Sequence, residues 1–291
     1  STPLPATVTK EQIEQDNKRF IEQQTKLAEA EQKISERQNT VQEMNKQQSQ
    51  LLAEAERNKI QAQEKLVQAE VLTEEIKQET NPVAQTDKAK QLITLQKEAQ
   101  QLQLESAIAK EVAQQIKVAA DEENARVNEA NQRLQQVKEF AKQGKPMNTT
   151  DFESNVALPA TTNVNKDELI SIAKQQAVQN RKNEVVLKEN YVKAQEQEVN
   201  RLQENLMNLN NTIAQTTDPM KKDAMVSQQN ELQRQIADKQ NAISVNKKQI
   251  VSLSSEMNVL QNKNIEVLPE EIKTILPEET KEEVVIVQNT A

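Results

Sequence analysis

The sequence predicts an all-α protein of elongated antiparallel coiled-coil helical hairpins, followed by an extended acidic C-terminal tail. Three observations predict this class. The 291 residues include one Gly and 1% aromatic residues, so tight turns and a wide core are both scarce. The rest is rich in Ala, Lys, Glu, Gln and Leu, which favour helices. Apolar residues also recur every seven positions, over long stretches bounded by a few prolines.

The first helix is predicted to begin after an extended leader, residues 1–8. Thr9 and Gln12 form a capping-box pattern, which starts a helix. A seven-residue apolar line follows. Because an α-helix has 3.6 residues per turn, such a line stays on one face only when helices supercoil around a partner. Its members are Ile13, Phe20, Leu27, Ile34, Val41, Gln48, Ala55, Ala62, Ala69 and Ile76.

A second helix is predicted to begin at the break Asn81-Pro82, because Asn caps a helix and Pro suits its first position. A connection this short makes neighbouring helices antiparallel, so residues 9–143 are predicted to form one long hairpin with its turn near 81–82. The small residues of its two lines predict close packing. The lines are Ala99, Ser106, Ala113, Ala120, Val127, Leu134, Ala141 and Leu95, Leu102, Ala109, Ile116, Glu123, Ala130, Val137.

Residues 144–164 are predicted to form a flexible linker, because Gly144 and two prolines interrupt the pattern. A second hairpin is predicted over residues 165–264. Asn165 and Glu168 form its opening cap, and Asp218-Pro219 marks its turn near 217–219. Its lines include Val178, Val185, Val192, Val199, Leu206 and Ile213, then Ile236, Ile243, Ile250 and Met257.

A further line of the second hairpin is Leu232, Lys239, Asn246, Leu253 and Leu260. Five polar residues interrupt the lines of the two hairpins: Gln48, Ser106, Glu123, Lys239 and Asn246. Two interpretations remain open for them. Polar seam residues can fix the register or the oligomeric state at a cost in stability. Alternatively, a long helical rod simply tolerates a few mismatches.

The tail, residues 265–291, has a different composition. Leu268-Pro-Glu-Glu recurs at Leu276-Pro-Glu-Glu, and a Val-rich run follows. Three interpretations remain open: a disordered acidic tail, a docking peptide that adds a strand to a partner's sheet, or the first strand of a further domain. The candidate partner-binding residues are Leu268, Ile272, Val284, Val285, Ile286 and Val287.

The composition argues against catalysis. The chain has no His, the usual general base at neutral pH, and no Cys to act as a nucleophile or zinc ligand. A phosphate-binding loop needs several glycines, and the chain has one. We therefore expect no enzyme activity, and we predict no catalytic, metal-binding or cofactor-binding residues.

The formal net charge is −8, and Lys and Glu alternate along the chain without a segregated basic patch. We therefore expect no nucleic-acid partner. No apolar run reaches 18 residues, so we expect no transmembrane segment. The lack of cysteine fits any compartment, and it favours export to the periplasm or cell surface.

The long Ala-, Gln- and Lys-rich helices, broken by Thr80-Asn81-Pro82 and Thr217-Asp218-Pro219, resemble coiled-coil helical-hairpin regions of bacterial cell-envelope scaffold proteins. The resemblance covers residues 9–143 and 165–264. In those proteins the hairpins sit beside β-propeller or peptidoglycan-binding domains, whose signatures are not found in this sequence. The resemblance implies an exported structural or scaffold role.

The expected function is a non-catalytic structural coiled-coil scaffold or spacer, part of a larger cell-envelope assembly. It would act through protein partners or through self-association of its coiled-coil seams. The alternative is a partner-binding module that uses its hairpin tips, or its acidic tail as a docking peptide.

Overall fold

The computed structural model describes residues 8–161, 163–261 and 272. These residues form five α-helices and no strand, which confirms the all-α class. The helices are α1 (Lys10–Gln78), α2 (Pro82–Ala141), α3 (Thr149–Val156), α4 (Lys166–Gln215) and α5 (Pro219–Leu260). None of the described helices is both long enough and apolar enough to cross a membrane.

The helices begin where the capping signals predicted. The backbone N–H of Thr9 donates to Gln12 Oε1, and that of Gln12 donates to Thr9 Oγ1, both at 3.2 Å. This reciprocal pair is the expected capping box. The side-chain oxygens of Asn81, Asn165 and Asp218 accept backbone N–H groups of α2, α4 and α5 at 2.9–3.1 Å. Each satisfies a donor that the first helical turn leaves free.

The chain forms two compact units. The first comprises Ser1–Glu56 and Ala107–Ile170, and the second comprises Arg57–Ser106 and Ser171–Ala291. Helices α1, α2 and α4 contribute to both units. The division predicted from sequence, into two hairpins, a linker and a tail, stays a prediction.

In the first unit, α1 packs against α2 through one apolar cluster. The ion pairs beside it, Glu31–Lys138 and Arg37–Glu123, are each 2.5 Å long, and their residue numbers run in opposite directions along the two helices. This order means that α1 and α2 are antiparallel at this level. The cluster contains Leu27, Ala30, Ile34, Val127, Ala130, Leu134, Val137 and Phe152.

The segment predicted as a flexible joint, residues 144–164, contains the additional helix α3. Phe152 is 2% exposed within the cluster of the first unit. The side-chain amide of Gln23 donates to Met147 O and accepts from Met147 N–H, both at 2.9 Å. This segment is therefore packed onto α1 and α2, because one aromatic side chain and paired hydrogen bonds hold it there.

The second unit contains the end of α1, the start of α2, most of α4, and α5. The α4–α5 contact buries Val192, Val199, Leu202, Ile236 and Ile243. The bonds that join the helices include those between Arg181 and Glu256, Glu196 and Lys247, and Asn210 and Gln229. Their numbers also run in opposite directions, so α4 and α5 are antiparallel.

Members of the seven-residue lines are found among the buried and half-buried residues of the helices. In α2, the line members from Leu95 to Ala141 are buried or half-buried. In α4 and α5 the same holds for the lines from Val178 to Ile213 and from Ile236 to Met257. The prediction is wrong for Ile13, which is 50% exposed. Residues 8–19 are all exposed. The reason is that α1, with 69 residues, is longer than α2, with 60 residues, so its first turns extend past the end of α2.

Candidate partner-binding surface

The C-terminal candidate residues fall mostly outside the described part of the chain. Leu268, Val284, Val285, Ile286 and Val287 lie outside the described residues. Ile272 is described, and its side chain is fully buried, with 0% exposed. Its role as a partner contact stays a prediction, because the residues that bury it here belong to this chain.

Ile272 lies in a cluster formed by the end of α1 and the start of α2, here called the α1–α2 cleft. Residues 69, 72 and 76 share one face of α1, and residues 89, 92 and 93 share one face of α2. The cleft therefore forms because the two helices turn apolar faces toward each other beside their connection. Its members are Ala69, Leu72, Ile76, Ala89, Leu92 and Ile93, with Leu95 packed against them.

Polar bonds fix the connection beside this cleft. Gln85 Nε2 donates to Ile76 O at 3.2 Å and to Glu79 O at 2.8 Å, which satisfies carbonyls that the end of α1 leaves free. The Glu79 carboxylate accepts Asn81 N–H and Lys88 Nζ, both at 3.1 Å. These bonds lower the pKa of Glu79, the Asn81 bond most strongly. Sequence analysis missed Gln85, whose only signal was a Gln three residues after Pro82.

Both helix starts after the breaks present an apolar side chain to solvent. Val83 follows Pro82 and is 70% exposed, and Met220 follows Pro219 and is 83% exposed. We call these two residues the tip residues. Exposed single apolar residues are common on protein surfaces. These two occupy equivalent positions at the two breaks, which is why they are candidates for contact with a partner.

A buried ion pair crosses the first unit. Arg37 Nε donates to Glu123 Oε1 at 2.5 Å, and their side chains are 10% and 3% exposed. The remaining Arg37 nitrogens donate to Pro159 O at 2.6 Å and to Ala160 O at 3.1 Å. Arg37 therefore joins three parts of the unit. Because a buried charge is tolerated only when paired, this arrangement favours the register interpretation for Glu123.

Sequence analysis named Glu123 but missed Arg37. The signal was a second seven-residue line on α1 that was not traced. Its members are Ala30, Arg37, Met44 and Leu51, all of them buried. A charged residue on such a line opposite a Glu on the facing helix is a signal for a buried pair.

The titratable groups on the helix surfaces form ordinary ion pairs. A hydrogen bond from Arg201 lowers the pKa of Glu198, and one from Arg234 lowers the pKa of Glu231 to about 2. Among the residues that the structure describes, no three His, Cys, Asp or Glu side chains come together to hold a metal ion. The polar groups thus serve helix ends and helix pairs.

Comparison with known proteins gives no match: no family model, no curated protein and no solved structure is significantly similar to this chain.

Proposed function

We propose that this chain is a non-catalytic structural coiled-coil scaffold or spacer that acts through protein–protein interaction. The observation that carries the proposal is where the buried residues lie. They follow seven-residue lines along helix contacts, and the described polar groups serve caps and helix pairs. A chain whose buried residues serve mainly to pair long helices is suited to an architectural role.

The finer architecture of the proposal is a pair of elongated antiparallel coiled-coil hairpins. The opposed order of the ion pairs in α1–α2 and in α4–α5 supports it. The length of α1 also supports it, because 69 residues at 1.5 Å per residue extend about 100 Å. A spacer needs length of this kind more than it needs a pocket.

Two observations support the non-catalytic part. The chain has no His and no Cys. The surface grooves near Ile60 on α1 and near Val251 on α5 are each lined by a single helix. Small-molecule sites are usually concave and enclose most of the ligand, which a groove on one helix does not do. The cell-envelope setting enters the proposal only through the resemblance of the hairpin segments to envelope scaffold proteins.

The first experiment is size-exclusion chromatography with light scattering and small-angle X-ray scattering on the purified chain. A monomer with a maximum dimension of about 100–150 Å supports helices folded back within one chain. A defined dimer longer than about 200 Å would mean that the seams pair between chains, as in a filament or tether. A radius of gyration near 19 Å, typical of a globular chain of this length, would contradict the proposal.

A second experiment changes length while keeping the seams. Deleting residues 42–48 and 112–118, at facing levels around the Arg37–Glu123 pair, removes seven residues from each helix. We expect preserved helicity and a particle shorter by about 10 Å. The matched control deletes only 42–46 and 114–118, which moves the apolar lines off the seam. Equal melting temperatures for the two deletions would contradict a register-dependent coiled coil.

The tip residues favour a second candidate, a partner-binding module. Val83 and Met220 are exposed at equivalent positions. A photo-crosslinking residue placed at 83 or 220 in the native host is expected to trap one protein at both positions. Val118 and Val245, which are 47% and 44% exposed away from the tips, are the matched controls. Equal trapping at all four positions would contradict this candidate.

If the tail is the docking element instead, deletion of residues 265–291 abolishes an interaction while helicity is unchanged.

A further inference from the structure

The α1–α2 cleft is covered from outside the two helices that form it. Ile76, Ala89 and Leu92 are each 0% exposed. Two helices packed side by side leave the outer edge of their contact face open to water, unless a third element covers it. Ile272, from beyond the end of α5, is part of this cluster and is itself 0% exposed.

A second contact brings the end of α5 to α2 within the same unit. Ser255 Oγ donates to Gln100 Oε1 at 3.0 Å. Gln100 follows Leu92 by eight residues, which is about 12 Å along the helix. Ile272 follows Gln261 by eleven residues, and such a stretch spans at most about 40 Å. The same chain can therefore supply both the α5 contact and the residue in the cleft.

The sequence around Ile272 contains two copies of one motif, which differ in the residue that follows them. The motif Leu268-Pro-Glu-Glu is followed by Ile272, and its second copy, Leu276-Pro-Glu-Glu, is followed by Thr280. The cleft is lined by Ala, Leu and Ile side chains, so an Ile suits it and the hydroxyl of Thr does not. The two copies thus differ at the one position that the structure places in the cleft.

Charged residues surround the cleft. The motif carries Glu270 and Glu271, and the helix ends beside the cleft carry Glu74, Glu75 and Glu79. The Lys88 ammonium is already bonded to Glu79 and lies 3.8 Å from Glu75. The apolar Ile272 side chain is the part of the segment that the structure places in the cleft.

We propose that the α1–α2 cleft is a docking site for a Leu-Pro-Glu-Glu-Ile segment, and that the chain's own residue 272 fills it. The contact ties the C-terminal segment to the connection between α1 and α2. This inference is independent of the spacer proposal, because a spacer functions with or without a docked tail.

The test uses the full chain, which has no cysteine, so that spin labels can be placed at chosen positions. Thr80, which is exposed beside the cleft, and Thr274 are changed to Cys and labelled. Double electron–electron resonance is expected to give a short, narrow distance distribution. Ile272→Thr is expected to lose the short-distance component, with helicity by circular dichroism unchanged.

Ile286→Thr is the matched control, the same substitution further along the tail, and it is expected to leave the distribution unchanged. A double variant that carries both Ile272→Thr and Thr280→Ile places the Ile in the second copy of the motif. In this variant a label at position 282 is expected to lie near the cleft instead. An unchanged distribution in Ile272→Thr would overturn the proposal. Coupling seen only between chains that each carry one label would also overturn it, because the occupant would then be a second copy.

Discussion

Arg37 shows how one side chain can hold three parts of a unit together. Its guanidinium bonds to Glu123 on α2 and to two backbone carbonyls that follow α3. Removing one partner of a buried pair leaves the other charge without compensation, whereas removing both is often close to neutral. The pair therefore contributes more to register than to net stability.

Arg37→Met is predicted to destabilise the first unit by about 3–5 kcal/mol, because it breaks the buried ion pair with Glu123 and removes the bonds to Pro159 O and Ala160 O. The measurement is urea unfolding followed by circular dichroism. Arg234→Met is the matched control, since the Arg234 side chain is 61% exposed, and we expect no measurable change. The double variant Arg37→Met, Glu123→Leu should recover most of the loss. Equal midpoints for Arg37→Met and Arg234→Met would contradict this account.

Glu231 provides a test by titration. A hydrogen bond from Arg234, then one from Gln235, lowers the pKa of Glu231 from 4.5 to about 2. Any stabilisation from this pair is present above pH 4.5 and is lost as the pH falls toward 2. Carbon-13 NMR of the carboxyl group should show the low midpoint, and Arg234→Ala should return it toward 4.5. A midpoint unaffected by Arg234→Ala would exclude the guanidinium as the cause.

At the scale of helices, the sequence predicted the long elements and missed the short one. Seven-residue lines and side-chain caps marked the starts of α1, α2, α4 and α5. Helix α3 has eight residues and one buried side chain, Phe152, so it produces no periodic pattern. Its Asn148 cap accepts Thr150 N–H at 2.9 Å, but a cap alone does not show where a helix packs.

The sequence predicts the long helices better than the single contacts, and this difference has a physical reason. A seam between paired helices repeats, so the sequence records it many times. A contact made once, such as Phe152 in the first unit or Ile272 in the α1–α2 cleft, leaves a single apolar residue as its only trace. For the same reason the sequence shows Ile272 only as an isolated apolar residue and does not indicate the surface that covers it.

Phe152→Ala is predicted to release α3 from α1 and α2, because Phe152 is the buried residue of that helix. Hydrogen exchange should then speed up over residues 147–160 and change little in α4 and α5. Glu153→Ala, an exposed position one residue away, is the control and should preserve the protection of α3. Protection that survives in Phe152→Ala would show that the Gln23 and Arg37 bonds suffice.

At the scale of the whole molecule, the chain divides into two units with separate apolar clusters. Such units can open independently, each with its own free energy. The exposed ion pairs contribute little to either unit, since surface pairs are typically worth about 0–1 kcal/mol. Stability should therefore follow the buried seams.

Leu202→Asp is predicted to remove protection from exchange in α4 and α5, because it places a charge in their contact, where Leu202 is 3% exposed. Residues 20–56 of the first unit should keep their protection. Leu187→Asp is the matched control, the same substitution on the same helix at a position 69% exposed, and it should have little effect. Equal loss in residues 20–56 would mean that the units unfold as one.

The order of the bonds between α1 and α2 has a mechanical consequence. Glu79–Lys88 joins residues nine apart, Lys65–Glu98 joins residues 33 apart, Arg37–Glu123 joins residues 86 apart, and Glu31–Lys138 joins residues 107 apart. Tension applied between Lys10 and Ala141 would load the most widely separated pair first and the connection last. In an optical trap the helices should peel apart in small steps, each released residue adding up to about 3.6 Å. Tension applied along the axis of α1 would instead load many of the α1–α2 contacts at the same time. The force needed to separate the two helices should therefore depend on the direction of pulling.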